Sequence, residues 1–269
     1  MKTETITCES CQASFEWEHD LDEKWRELLK PNYCEPCLAI AKEQEELAKR
    51  EAKQRKLKER IDGYVEGIRG KIPPLFQKTD INHPRFNRAG WDKLKDWRPT
   101  DEKPWLGLIG ETGTSKSRIG HLLSLEIARE MANDRFSAMT FSNNKREPGI
   151  MLVSSNEITS ASMLQFSNKQ HATRPLWDDR TPAQQARDFL DALRTADFLL
   201  IDDIGKGRLS PAVAAEFFAI VDHRYQYQLP MIWTANSTPE EIASCMSEDM
   251  AAPFAGRLND SSRIVRFKA

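Results

Sequence analysis

No stretch of this sequence approaches the roughly 18 apolar residues needed to cross a bilayer, and its opening, MKTETITCES, lacks the apolar run of a secretory signal. Membrane insertion and export are therefore not expected. Bulk charge is also missing: 39 Lys+Arg against 41 Asp+Glu leave a net charge of −2, so the molecule as a whole has no electrostatic pull on nucleic acid. There are only five cysteines, an odd number, and four of them form two tight pairs. That spacing argues against a disulfide framework and for metal in a reducing compartment. A soluble cytoplasmic protein is the expectation. Its 269 residues suffice for one domain of about 150–200 residues and something smaller.

The cysteine pairs come first in the chain. Cys8-x2-Cys11 and Cys34-x2-Cys37 are separated by a 22-residue spacer. Each pair can place two thiolates on one knuckle, and two knuckles complete a tetrahedral, closed, structural zinc site. Residues 1–40 carry so few apolar side chains that folding without such a staple would be difficult. His19 in the spacer is expected to be a bystander, and the fifth cysteine, Cys245, a buried thiol. Nine acids against four bases give residues 1–40 a net charge of −5, to which four thiolates around one Zn²⁺ add a formal −2. A surface this negative repels phosphates, so a protein-docking module is favoured over a DNA-binding knuckle. Phe15, Trp17 and Trp25 would supply its small core or an aromatic contact for the partner.

From Lys42 to Arg60 most positions are charged, and Glu45–Lys49, Glu46–Arg50 and Glu51–Arg55 fall at i,i+4 with the acid first. The pattern predicts a solvated helix between two domains; a basic stripe on nucleic acid is the alternative. Gly63, Gly67 and Gly70 are expected to punctuate it. This divides the chain into a zinc-binding, partner-docking module (1–40), a charged helical linker (41–70) and a nucleotide domain (71–269).

Beyond residue 71, strand-like and helix-like segments alternate, the signature of an α/β fold with a parallel sheet flanked by helices. Strand-like runs lie at 105–109, 149–154, 198–202, 231–236 and 263–267, and helical stretches at 118–132, 183–195 and 211–227. The first strand leads into Gly110-Glu111-Thr112-Gly113-Thr114-Ser115-Lys116-Ser117, after which Ile119, Leu122, Leu123 and Ile127 begin a helix period. Strand, glycine-containing turn, Lys-Ser and helix make a phosphate cradle. Backbone N–H groups and the helix dipole face the anion, Lys116 adds a point charge, and the Ser117 hydroxyl ligates Mg²⁺. The strict pattern has glycine where this chain has Ser115.

About 85 residues further on, FLLIDD ends an apolar strand in Asp202 and Asp203, expected beside the strand of the phosphate loop. Asp202 would hold Mg²⁺ and Asp203 would orient the attacking water. Asn236 closes another strand within reach of that water or of the γ-phosphate. Arg257, late in the chain, is placed to reach a neighbouring subunit's nucleotide; a plain surface arginine is the other reading.

The ordered set GETGTSKS, LLIDDIG, VDHRY, IWTANSTPEEI and GRLNDSSRIVRF resembles the AAA+ ATPases of the DnaC/IstB group, bacterial and phage helicase loaders and transposition helper ATPases. Upstream, IPPLFQKTD (72–80) is similar to the group's IPxxF segment near the adenine. The resemblance covers about 72–269. It implies a minimal P-loop NTPase fold with no C-terminal helical lid, ATP and Mg²⁺ as ligands, and a homo-oligomer with ATP at subunit junctions. It further implies that Gly110, Gly113, Lys116 and Ser117 are Walker A, Asp202 and Asp203 Walker B, Asn236 sensor 1, and Arg257 an arginine finger acting in trans. In such loaders the segment before Walker B contacts single-stranded DNA. Here that is 155–174, with Phe166, Lys169, His171 and Arg174 as candidates, a flexible surface helix and loop being the alternative. Arg224 and Tyr225 are expected to pack or to line a subunit interface. The function implied is ATP-dependent loading of a hexameric replicative helicase onto single-stranded DNA, the zinc module docking on the helicase. A transposition helper on duplex DNA and a zinc adaptor that binds nucleotide without turnover are the alternatives.

Overall fold

A computed structural model describes residues 1–268 apart from 101, 139–146, 148, 167–179 and 206–208. By internal contacts the chain divides into two units, Met1–Arg60 and Ile61–Ala269.

In the first unit, β1 (Lys2–Thr7) and β2 (Ser14–His19) form an antiparallel hairpin in which Lys2 faces His19 and Thr7 faces Ser14. A short helix, α1 (Glu23–Leu29), follows, and then α2 (Glu35–Lys71) starts between the members of the second cysteine pair. Little is buried: Ile6, Cys8, His19 and Cys34 are the buried residues of the hairpin and its tip. Charged pairs decorate α2, among them Glu45–Lys49 at 2.8 Å.

The glycines at 63, 67 and 70 do not break α2, contrary to the expectation from sequence; the helix runs on to Lys71. Glycine costs a helix about 1 kcal/mol relative to alanine. Here that is outweighed by burial of Ile61, Val65 and Ile68, spaced i, i+4, i+7 on one face. Tyr64 meets Phe136 edge-on at 5.9 Å, and Asp62 pairs with Arg129.

The second unit continues with α3 (Pro74–Gln77), α4 (Arg88–Leu94), β3 (Trp105–Gly110), α5 (Lys116–Ala138), β4 (Ile150–Ser154), α6 (Ser155–Leu164), α7 (Pro182–Thr195), β5 (Phe198–Ile204), α8 (Pro211–Gln226), β6 (Met231–Ala235), α9 (Pro239–Ala243), α10 (Glu248–Ser261) and β7 (Ser262–Phe267). The sheet is five-stranded and parallel, in the order β4-β5-β6-β3-β7. Its three inner strands are apolar and buried almost throughout, as strands covered by helices on both faces must be. The edge strands β4 and β7 are buried only in part. The expected parallel sheet flanked by helices is present, with one correction. The strand that carries Asp202 and Asp203 is not beside the phosphate-loop strand: β6 lies between β5 and β3.

Capping boxes open α6 (Ser154 with Glu157), α7 (Thr181 with Gln184) and α9 (Thr238 with Glu241). Arg224, wholly buried on α8, donates to Leu193 O (3.0 Å) and Ala196 O (3.0 Å) at the end of α7 and to Pro230 O (2.6 Å) before β6. One guanidinium thus closes a helix C-terminus and positions the following strand. Burial lowers its pKa to about 9, with Asp197 opposing, so it remains a cation at neutral pH. Cys245, expected to be buried, is exposed just beyond α9. The turn that ends this five-residue helix leaves no second layer over the thiol.

Candidate functional site

β3 ends at Gly110, whose φ of 152° brings it so close to β7 that a Cβ would lie 2.2 Å from Phe267 O. Gly113 follows at φ 88°, with open space where its Cβ would be. The loop then turns into the N-terminus of α5. Four orphan N–H groups and the positive end of a 23-residue helix are thereby aimed at whatever occupies the loop.

Ser115, at the position where the strict motif has glycine, takes the left-handed conformation itself, φ 69°. Its hydroxyl accepts a bond from Asn87 N at 3.2 Å and donates towards Arg85 O at 3.4 Å. The phosphate loop is in this way fastened to the segment leading into α4.

Lys116 is buried and donates to Gly110 O and Glu111 O, each at 2.7 Å, and to Asn236 Oδ1 at 3.1 Å. Burial lowers its pKa, and Asp203 and Asp202 pull the other way. Just past β6, Asn236 Nδ2 reaches Asp203 Oδ1 at 3.5 Å. Thr234, on β6 itself, donates its hydroxyl to Asp202 Oδ1 (2.6 Å) and accepts from Asp203 N (2.8 Å). Asp203 sits at φ 63°, a left-handed kink where the pairing of β5 with β6 shifts register between Ile201 and Ile204, and this N–H bond holds it. Thr234 and Asn236 thus bridge the one-strand gap between β5 and β3.

A cavity of about 780 Å³ lies over these groups, walled by Thr112, Gly113, Thr114, Ser115, Lys116 and Ser117, by Asp203, Thr234 and Asn236, and by residues between Pro74 and Phe86. Gly110 and Glu111 form the root of the loop, and Asp202 is joined to the wall through Thr234. On the far wall Arg118 lies over the Phe76 ring (5.7 Å) and donates to Leu75 O and Thr79 Oγ1. Beneath it, the buried ring of His121 stacks on Phe76 at 5.0 Å, with no partner on either nitrogen among the described residues, and burial lowers its pKa. The sequence reading missed Thr234 as a bridge. Its signal was a single hydroxyl in an otherwise apolar buried strand, one residue from the strand's end.

Arg257 is not on this wall. It lies on α10, pairs with Asp222 at 2.5 Å, and stacks over Phe218 (4.7 Å) and Tyr225 (5.8 Å) of α8. Of the candidate DNA contacts, Phe166 is exposed just past α6, and Lys169, His171 and Arg174 lie outside the described residues.

In the first unit the sulfurs of Cys8, Cys11, Cys34 and Cys37 all lie within 4.8 Å of one another. Tetrahedral zinc–thiolate bonds of about 2.3 Å place sulfurs about 3.8 Å apart, so the cluster fits such an ion; Cys11 and Cys34 are already at 3.6 Å. One pair is carried by the tip of the hairpin, closed by Cys8 N to Ala13 O, and the other by the first turn of α2. Glu9 N to Asn32 O ties the two knuckles together. Within the cluster the Cys11 backbone N–H lowers the Cys8 thiol to about 6, whereas the neighbouring Cys34 and Cys11 thiols push Cys37 up to about 12. His19 is not part of the cluster; it is buried against Trp17 and bonded to Glu4.

No family model and no curated protein matches the chain. Solved structures similar to it include AMPPCP-bound DnaA from Aquifex aeolicus (16% identity, TM-score 0.41, covering 67% of this chain and 44% of that one). Others are DnaI (16%, 0.45, 74% and 93%) and the DnaC helicase loader (16%, 0.44, 73% and 100%). The chain spans less than half the length of the DnaA structure.

Proposed function

We propose that this protein is an ATPase that loads a hexameric replicative helicase onto single-stranded DNA, with ATP bound between subunits of a homo-oligomer and the zinc module docked on the helicase. The observation that carries the ATPase is the bonded chain Lys116–Asn236–Asp203 and Asp202–Thr234–Asp203 beneath one cavity. The triphosphate would sit on the N–H groups of residues 112–117, with Ser117 and Asp202 holding Mg²⁺. The metal, when bound, neutralises phosphate charge. Lys116 moves from the loop carbonyls to the phosphates, Asp203 orients the water, and Asn236 positions it.

Arg257 acts in trans. Its salt bridge to Asp222 keeps it off its own subunit's cavity, and engaging a neighbour's γ-phosphate requires that this pair open. The loader reading is supported by the order of motifs along residues 72–269 and by an acidic metal module on a charged helix. We further propose that the zinc module, the linker and the ATPase domain are separate functional parts.

Steady-state ATP turnover with helicase and single-stranded DNA present is the test. Loss of turnover in Lys116→Ala, together with helicase delivered to circular single-stranded DNA only by the wild type, supports the reading. A wild type no faster than Lys116→Ala favours the zinc adaptor that binds nucleotide without turnover, for which the restrained Ser115 is the specific observation.

A further inference from the structure

The first unit carries one helix turned the wrong way round for a free-standing module. α1 buries no residue. Its half-buried member is Arg26, whose guanidinium pairs with Glu4 of β1 at 2.9 Å, and Glu4 is in turn held by His19 at 3.0 Å. Arg26 is thus the residue of α1 that is turned onto the hairpin. Trp25, Leu28 and Leu29, at i, i+3, i+4 on one face, are left 51%, 73% and 55% exposed. Tyr33, Leu38 and Ile40 of the same unit are exposed as well. An amphipathic helix normally buries its apolar stripe; here the stripe faces solvent while Arg26 contacts the hairpin.

Charge says what can cover it. Asp20, Asp22, Glu23 and Glu27 are exposed on and next to α1, against the exposed Lys24 and Lys30, in a module whose first 40 residues carry −5 before any metal is counted. A second copy would bring like charges together, and an anionic lipid surface or a nucleic acid backbone would be repelled. We infer that the Trp25–Leu28–Leu29 face is a docking surface for a protein groove with an apolar floor and a rim of lysine and arginine. Trp25 is its anchor and the acids set the approach. The inference rests on the loader reading, in which that groove belongs to the helicase.

The test uses the full-length, zinc-loaded chain and the purified replicative helicase hexamer of the same organism, with binding and association rate followed by surface-immobilised kinetics at several salt concentrations. Trp25→Ser/Leu28→Ser should weaken binding roughly 30-fold or more while zinc content and helicase-free ATP turnover stay at wild-type levels. Glu23→Lys/Glu27→Lys should slow association and reverse its salt dependence. Equal binding by wild type and Trp25→Ser/Leu28→Ser overturns the docking face and leaves the loader intact. No binding by the zinc-loaded wild type overturns both. If the wild type sediments as a dimer that Trp25→Ser/Leu28→Ser dissolves, the occupant is a second copy and the inference is wrong.

Discussion

The two units solve the problem of fixing a charged turn in opposite ways. Beside the phosphate loop, a large buried apolar cluster drawn from four strands, β3 to β6, and from helices α6 to α10 holds the backbone, and polar groups are added at the sheet's edge. Around the cysteines there is almost no apolar interior, and four sulfurs from a hairpin tip and a helix start converge instead. A core spreads the cost of a local change over many contacts, whereas a four-point staple does not. The first unit should therefore fail all at once and the second by degrees.

Metal removal should show the largest difference. Structural zinc contributes about 10–16 kcal/mol in small modules. Chelation, or Cys34→Ser, should expose the amides of β1, β2 and α1 to rapid exchange. Protection in β3, β5 and β6, and nucleotide binding, should persist. Loss of protection in β3 along with the hairpin would show that the units are not independent.

Within the second unit, the site should break without the core. Lys116→Ala should lower turnover about 10²–10³-fold with little change in the urea midpoint, and Arg257→Ala about 10³-fold with unchanged nucleotide affinity but a lower midpoint, because Asp222 loses its partner and Phe218 its cover. Mixing the two inactive variants should restore part of the turnover, because one supplies the finger and the other the loop. Mixed preparations as inactive as their parents would remove the in-trans role.

The converse experiment breaks the core without the site. Arg224→Ala leaves Leu193 O, Ala196 O and Pro230 O without their donor and opens a void. It should destabilise the second unit by about 3 kcal/mol or more, read as a fall in the urea midpoint, with Arg224→Met intermediate because it refills only the volume. Zinc affinity should not change.

The same contrast explains what could be read from sequence. β3, β5 and β6 were legible because strands buried on both faces are short apolar runs, and α5, α7 and α8 because their apolar spacing is helical. The cysteine knuckles and the phosphate loop announce themselves by spacing. α6 lay in a Ser/Asn-rich stretch, and its one local signal, the Ser154–Glu157 box, is weak without periodicity beside it. α10 was obscured by Pro253 within it. Strand order is a long-range property that no window of residues reports, so the place of β6 between the loop and the aspartates, and the bridging by Thr234, needed coordinates. The continuation of α2 through its glycines depended on partners such as Phe136 and Arg129, far along the chain.

Ser115 should give the smallest effect and the sharpest sign. A non-glycine residue in the left-handed region costs about 1–2 kcal/mol, and a hydrogen bond of the Asn87 N to Ser115 kind returns about 1 kcal/mol. Ser115→Gly removes both, so the urea midpoint should hardly move; Ser115→Ala keeps the strain and loses the bond, so it should be about 1 kcal/mol less stable than wild type. Glycine more stable than alanine is the reverse of what most positions show. The two variants also lose the same tether to Asn87 and Arg85, so nucleotide should leave both faster than wild type. If nucleotide release is unchanged in both, the hydroxyl is incidental and the serine is merely tolerated where glycine would serve.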